Sequence, residues 1–213
     1  MRTSIELGRA GAVRGRLAGP RALSLGAARI VLESSGMSTY SADLDSTGGF
    51  DIRNLPPGEY TFSLWANGVR QSSYYLRRVW CSGKDYVSEP MRLDNGAVLN
   101  CELTAGDDTG VVSGRVSDGA NPVADLVVVL IPESPVLRRQ AHRTLTATTD
   151  SAGRYTLAGA IPGDYLLFAV PPSDDHVYFA SDFADRNRGA AKRVTVASNG
   201  APVVELQPLR PPR

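Results

Sequence analysis

Apolar residues along this chain recur at alternate positions far more often than at every third or fourth. Tyr60, Phe62 and Leu64 form one such set and Leu99, Cys101 and Leu103 another. A period of two places each set on one face of a strand. Helical spacing is scarce, and the one helical turn predicted lies around residues 180–186. Turn signals fall between the apolar sets. Asp45-Ser46-Thr47-Gly48 and Asp150-Ser151-Ala152-Gly153 each precede an aromatic strand, Pro57-Gly58 and Pro162-Gly163 precede the next, and Asn95-Gly96 and Asn199-Gly200 come later. A hairpin is predicted at each, because glycine adopts positive φ without strain and Asn-Gly fits the tight two-residue turn.

The same signals occur twice. Gly48 and Gly58 are matched by Gly153 and Gly163 at a constant offset of 105 residues, with no gap between them. Upstream, Val13-Arg14-Gly15-Arg16-Leu17 matches Val112-Ser113-Gly114-Arg115-Val116; downstream, Glu102-Leu103 matches Glu205-Leu206. A repeat of that length holds about seven strands, the size of a two-sheet sandwich. The polar stretch at 105–110 is predicted as the linker, which sets the domains at 1–105 and 106–213. The expected fold class is all-β: two tandem Ig-like or transthyretin-like antiparallel β-sandwiches.

Composition narrows the chemistry. The 213 residues carry 23 Lys+Arg against 22 Asp+Glu, a net charge of +1, so no field of one sign would draw the chain to nucleic acid or an anionic membrane. The aliphatic run at 126–131 is too short for insertion into a bilayer. With 21 Gly and 14 Pro spread as punctuation, many short strands are expected.

In the second half, Gly114-Arg115-Val116, the run Val127-Val128-Val129-Leu130, Thr149-Asp150, Gly153-Arg154-Tyr155, Leu157 and Pro162-Gly163-Asp164-Tyr165 follow one pattern. It resembles that of the carboxypeptidase regulatory-like domain, a transthyretin-type sandwich found as repeated modules in secreted bacterial proteins. The first half resembles it through Gly15-Arg16-Leu17 and the segment from Asp45 to Tyr60, but departs from it over residues 20–26. The resemblance covers roughly residues 11–207. It implies a non-catalytic fold with carbohydrate-binding-like relatives, and it carries over turn and core positions only: Asp45, Gly48, Pro57, Gly58, Asp150, Gly153, Pro162 and Gly163.

Reactive residues are few. His142 and His176 lie outside any His-x-x-x-His or Cys-x-x-Cys setting, and no Gly-x-Ser-x-Gly elbow is present. No catalytic residue, metal ligand or cofactor is therefore nominated, and hydrolysis is the least favoured reading. Asp43, Asp45 and Asp51 could cluster oxygens for calcium, yet the second copy has Thr148 in place of Asp43. The favoured role of Asp45 and Asp150 is to close their own turns. The basic stretch from Arg138 through His142 to Arg143 could meet a phosphate or acidic glycan, although such runs are mostly solvated.

Aromatics are the better binding candidates, since an exposed flat ring stacks on a sugar or anchors a protein contact. Trp65, Tyr75, Trp80 and Tyr178 are nominated, with Tyr74, Phe179 and Phe183 nearby in sequence. Cys101 shares the apolar parity of its strand and Cys81 is read in a loop; whether they pair is left open. Residues 1–7 have no apolar core of a signal peptide. The chain is therefore expected to be cytoplasmic or part of a longer exported product, and the resemblance and the linker-like 210–213 favour the second. The expected function is a non-enzymatic, monomeric spacer or interaction module, periplasmic, secreted or at the cell surface, with a protein, peptide or glycan partner. Carbohydrate binding through the aromatics is the alternative.

Overall fold

Alternation along the chain becomes two pairs of facing sheets. The computed structural model describes residues 9–20, 23, 25–34, 38–66, 74–172, 177–180 and 182–209. These fall in two compact units, Met1–Asp107 and Asp108–Arg213. The first holds β1 (Gly11–Ala18), β2 (Ala28–Ser34), β3 (Thr39–Asp43), β4 (Gly49–Leu55), β5 (Gly58–Ala66), β6 (Tyr75–Cys81), β7 (Lys84–Asp85), β8 (Met91–Leu93) and β9 (Val98–Gly106). Its sheets run β4-β1-β9-β6-β7 and β3-β2-β5-β8. Val13, Leu17 and Leu103 from one meet Ile30, Leu32, Phe62 and Leu64 from the other in a single core. Ala105 and Gly106, read as linker from the sequence, extend β9 opposite Leu76 and Tyr75, because Ala105 continues the buried parity of Cys101 and Leu103.

The second unit holds β10 (Gly110–Asp118), β11 (Asn121–Pro122), β12 (Val127–Pro132), β13 (Leu145–Thr148), β14 (Arg154–Ala160), β15 (Gly163–Val170), β16 (Lys192–Val196) and β17 (Val203–Leu206). One sheet places β10 between β14 and β17 with β11 appended; the other runs β13-β12-β15-β16. Strand for strand, β1, β2, β3, β4, β5, β8 and β9 make the same pairings as β10, β12, β13, β14, β15, β16 and β17. Among the described residues, the two short helices, α1 (Pro135–Arg138) and α2 (Phe183–Arg186), lie in the second unit. No helix among the described residues is long and apolar enough to cross a membrane.

The repeated turns keep their chemistry but not the expected topology. Asp45 Oδ1 accepts the Thr47 amide, the Thr47 hydroxyl and the Gly49 amide at 2.7, 2.8 and 2.9 Å. Asp150 Oδ1 accepts the Ala152 and Arg154 amides at 2.9 and 2.8 Å. These turns do not close hairpins. They carry the chain from one sheet to the other, since β3 pairs with β2 whereas β4 pairs with β1, and likewise in the second unit. The glycine carbonyl is taken by the neighbouring sheet: the Leu17 amide donates to Gly48 and the Val116 amide to Gly153, both at 2.8 Å. Gly48 and Gly153 sit at φ 83° and 71°, where a Cβ would also meet the Leu17 or Val116 carbonyl oxygen.

The Asn-Gly turns also pass between sheets, and they differ by one residue. Asn95-Gly96 is central in the first, with Ala97 bonded back to Asp94, whereas Ser198-Asn199 is central in the second, with Gly200 bonded back to Ala197. Gly58 and Gly163 open β5 and β15. The left-handed residues that precede them are Asn54 and Gly159, at φ 59° and 82°, where β4 and β14 bulge against β1 and β10. Beyond each bulge a tyrosine hydroxyl donates four residues back, Tyr60 to the Pro56 carbonyl and Tyr165 to that of Ile161, both at 2.6 Å.

First and last strands of each unit pair in parallel, with Gly15 opposite Cys101 and Gly114 opposite Val204. A Cβ on either glycine would overlap the facing carbonyl oxygen. Gly114→Ala is therefore expected to destabilise the second unit by about 2–3 kcal/mol in denaturant unfolding, whereas Gly189→Ala, with open space at its Cβ, shifts it by less than about 0.5 kcal/mol.

The turn carboxylates give a pH signature. Hydrogen bonds hold the Asp45 carboxyl, chiefly through the Thr47 hydroxyl, and the Asp150 carboxyl, chiefly through the Arg154 amide, below the ordinary carboxylate range. A depressed folded pKa stabilises above the unfolded value of about 3.9, and that contribution disappears as pH falls through the folded value. Thermal melts between about pH 6 and pH 2 should show a shallower acid decline in Asp45→Asn/Asp150→Asn than in the parent chain.

Candidate functional site

β12 and β15 are not amphipathic. Val128 and Leu130 enter the sandwich core, while Val129 and Ile131 are just as buried on the opposite face with Leu166, Phe168 and Val170. The chain between β15 and β16 covers that outer face. It folds into 3-10 turns at Val177–Phe179 and Arg188–Ala190 around α2, and sets Tyr178, Phe183 and Ala184 on the sheet. Phe183 meets Phe168 edge-on at 5.2 Å between ring centroids. The helical turn predicted around residues 180–186 is real but forms part of this larger cover.

Ion pairs at one end fasten the cover. Arg138 donates to the Pro132 and Glu133 carbonyls at 2.9 Å each and to Asp185 at 2.9 Å. Arg188 reaches Glu133 at 2.9 Å and Arg193 reaches it at 3.2 Å. The Arg138 guanidinium holds the Asp185 carboxyl below its usual range. With only 9% of its side chain exposed, Arg138 acts as a structural clamp.

Between α1 and the cover lies a groove of about 610 Å³, lined by Ile131, Pro135, Arg139, Thr144, Tyr178 and Phe179 among others. Its volume is in the range of small-ligand sites. The floor is apolar. Phe179 is 57% exposed, its ring 4.9 Å from that of buried Tyr178. Arg139 is exposed at the rim and makes no ion pair with any described residue. The basic stretch and the second aromatic group, distant in sequence, are thus brought to one groove. Arg143 is buried instead, donating to Gln140 Oε1 at 2.6 Å. Such a groove can hold an apolar group carrying a negative charge.

The nominated aromatics do not form one binding face. Tyr75 and Tyr178 are buried, and Tyr178 reaches a ligand-sized space as part of the groove wall. Trp65 lies on β5 and Trp80 on β6, in different sheets. Trp65 is half-buried, its Nε1 buried without a hydrogen-bond partner among the described residues. Trp80 carries the Arg78 guanidinium 4.3 Å above its ring, which occupies one stacking face. His176, residues 1–7 and residues 210–213 lie outside the described residues.

The three first-unit aspartates are separately engaged. Asp43 pairs with Arg29 at 2.7 Å and Asp51 with Arg53 at 2.6 Å, while Asp45 closes its turn. No group of three His, Cys, Asp or Glu among the described residues is poised to hold a metal ion. Cys81 is not in a loop: it ends β6 directly opposite Cys101 and is bonded to it, with Cα atoms 4.2 Å apart. Ser82 and Gly83, at φ 50° and 89°, then form the two-residue hairpin turn to β7. The cover is legible in one sequence signal: the unbroken apolar runs of β12 and β15 mark strands buried on both faces.

No protein-family model and no curated protein matches this chain. Among solved structures it is similar to GBS52, the minor pilin of Streptococcus agalactiae, at 13% identity, covering 96% of this chain and 98% of that one with a TM-score of 0.43. It is similar to a streptococcal ancillary pilin at 16% identity, covering 95% and 63% with a TM-score of 0.40. A third similarity is to the TIE protein of Bacillus anthracis, at 13% identity and a TM-score of 0.33; the matched region covers 94% of this chain and spans 34% of that one. The resemblance to the carboxypeptidase regulatory-like domain rests on the turn and core residues quoted above.

Adjacent arginines should separate structure from binding. Arg138→Ala leaves two carbonyls without their charged donor and is expected to cost about 2 kcal/mol, with its half-exposed ion pair contributing little. Arg139→Ala should change stability by less than about 0.5 kcal/mol. Urea unfolding of both variants checks this.

Proposed function

We propose that this chain is a non-catalytic interaction module of an exported, extracytoplasmic protein, built from two tandem β-sandwiches of the carboxypeptidase regulatory-like type. The Cys81–Cys101 bond carries the reading. Disulfides persist in oxidising compartments and are rare where thiols are kept reduced. The bond links neighbouring strands at the end of a hairpin, where it braces β6 on the first unit's sheet. In the second unit the groove supports the interaction role. Exposed Phe179 over an apolar floor and Arg139 at the rim suit a partner presenting an apolar side chain next to a carboxylate. A carbohydrate platform is the weaker reading, because Trp65 and Trp80 share no face.

Two measurements test it. Acid-trapped protein from the cells that make it should take up no thiol-reactive mass tag before reduction and two after it; tagging without reduction would overturn an exported location. With a sequence separation of 20, opening the bond should lower the first unit's stability by about 3 kcal/mol and leave the second unit's transition unmoved. Guanidinium unfolding with and without reductant reads both.

A further inference from the structure

Among the described residues, the first unit has a strand, β6, with no counterpart in the second. β9 pairs with β1 on one side and β6 on the other, whereas β17 pairs with β10 and, among the described residues, with no strand on its other side. The chain that would supply it, between β15 and β16, has gone instead to the outer face of the opposite sheet.

Main-chain direction confirms an available edge. Pro202 O accepts the Ser113 amide at 3.1 Å and Val204 O accepts the Tyr155 hydroxyl at 2.7 Å, so the even-numbered residues face β10. By alternation Val203 and Glu205 direct their N–H and C=O groups away from it; past the strand end Pro208 bridges Ala169 of β15, and the Leu209 amide donates to the Ala169 carbonyl at 2.7 Å. The register makes Glu205 the equivalent of Glu102, since Gly114 faces Val204 as Gly15 faces Cys101; in the first unit Glu102 is where β6 bonds, opposite Trp80. Val203 is 73% exposed. Beside this edge lies a cleft of about 610 Å³ lined by Leu167, Ala169, Lys192, Glu205, Leu206 and Gln207 among others.

We propose that the second unit binds an extended peptide of another protein as an added strand, antiparallel to β17 over residues 203–206. It takes the part of β6's place that lies along β17, since Pro208 and Leu209 beyond it are bonded to Ala169. Alternate apolar side chains enter the cleft beside Leu167 and Leu206. A basic or aromatic residue stands opposite Glu205, as Trp80, with Arg78 on its ring, stands opposite Glu102. Pairing of β17 with itself in a second copy, centred on Glu205, would set two carboxylates face to face, which disfavours that occupant. Strand addition gives affinity through main-chain bonds and specificity through alternate side chains. This site is separate from the Arg139–Phe179 groove and stands or falls without it.

A synthetic peptide copying residues 74–85 with Cys81→Ser is the probe, added to the full chain, with amide hydrogen exchange read by NMR. Bound peptide should slow exchange at Val203 and Glu205 at least tenfold. Glu205→Pro, which removes one outward N–H from an edge strand, should weaken binding tenfold or more. If that variant loses the second unit's unfolding transition, Val203→Lys serves in its place. Arg139→Ala and Phe179→Ala should leave the protection unchanged, which keeps the groove and the edge distinguishable. No protection, protection that survives both edge variants, or protection that rises with protein concentration in the absence of peptide would overturn the proposal, the last by assigning the edge to a second copy.

Discussion

Each unit is closed by the parallel pairing of its first and last strands, and that contact depends on a residue without a side chain. Gly15 lies against the Cys101 carbonyl and Gly114 against the Val204 carbonyl, where any Cβ would overlap main chain. Because β1 and β10 each lie between two partners, this close approach fixes where β4 and β9, or β14 and β17, sit. The inner faces of both sheets follow from it. Val13 and Leu17, like Val112 and Val116, then point into the core at a separation that side chains from the opposite sheet can fill. Turn chemistry is subordinate to this pairing. Gly48 and Gly153 give their carbonyls to β1 and β10, which makes the Asp-Ser-x-Gly turns passages between sheets.

From this shared frame the units diverge at one place, the chain following β5 and β15. In the first it returns to the sheet edge as β6, where Cys81 meets Cys101 and the edge is covered. In the second it crosses onto the outer face, where buried Val129, Ile131, Leu166 and Phe168 receive Tyr178, Phe183 and Ala184. That single rerouting produces both distinctive features of the second unit. A groove with Arg139 at its rim opens beneath the cover, and β17 is left with one unpaired side. In the first unit β6 occupies the corresponding side of β9, and the disulfide braces that strand.

Local rules sufficed for much of this. Alternating apolar residues and Asp-Ser-x-Gly turns determined strands and fold class from sequence alone, because side-chain parity and φ preference act over a few residues and need no partner. Even so, the left-handed bulge residues Asn54 and Gly159 passed unnoticed, although both are residue types that tolerate positive φ. What the sequence could not determine is which strand each turn delivers its chain to. Asn95-Gly96 and Ser198-Asn199 both make tight turns, but only the pairing of β9 with β1 and of β17 with β10 turns them into crossings between sheets. Burial of Tyr75 and Tyr178, the bond between Cys81 and Cys101, and the meeting of Arg139 with Phe179 were likewise decided by tertiary structure. Each depends on contacts between residues far apart in the chain, whose distance is set by how two sheets pack and by nothing within a strand.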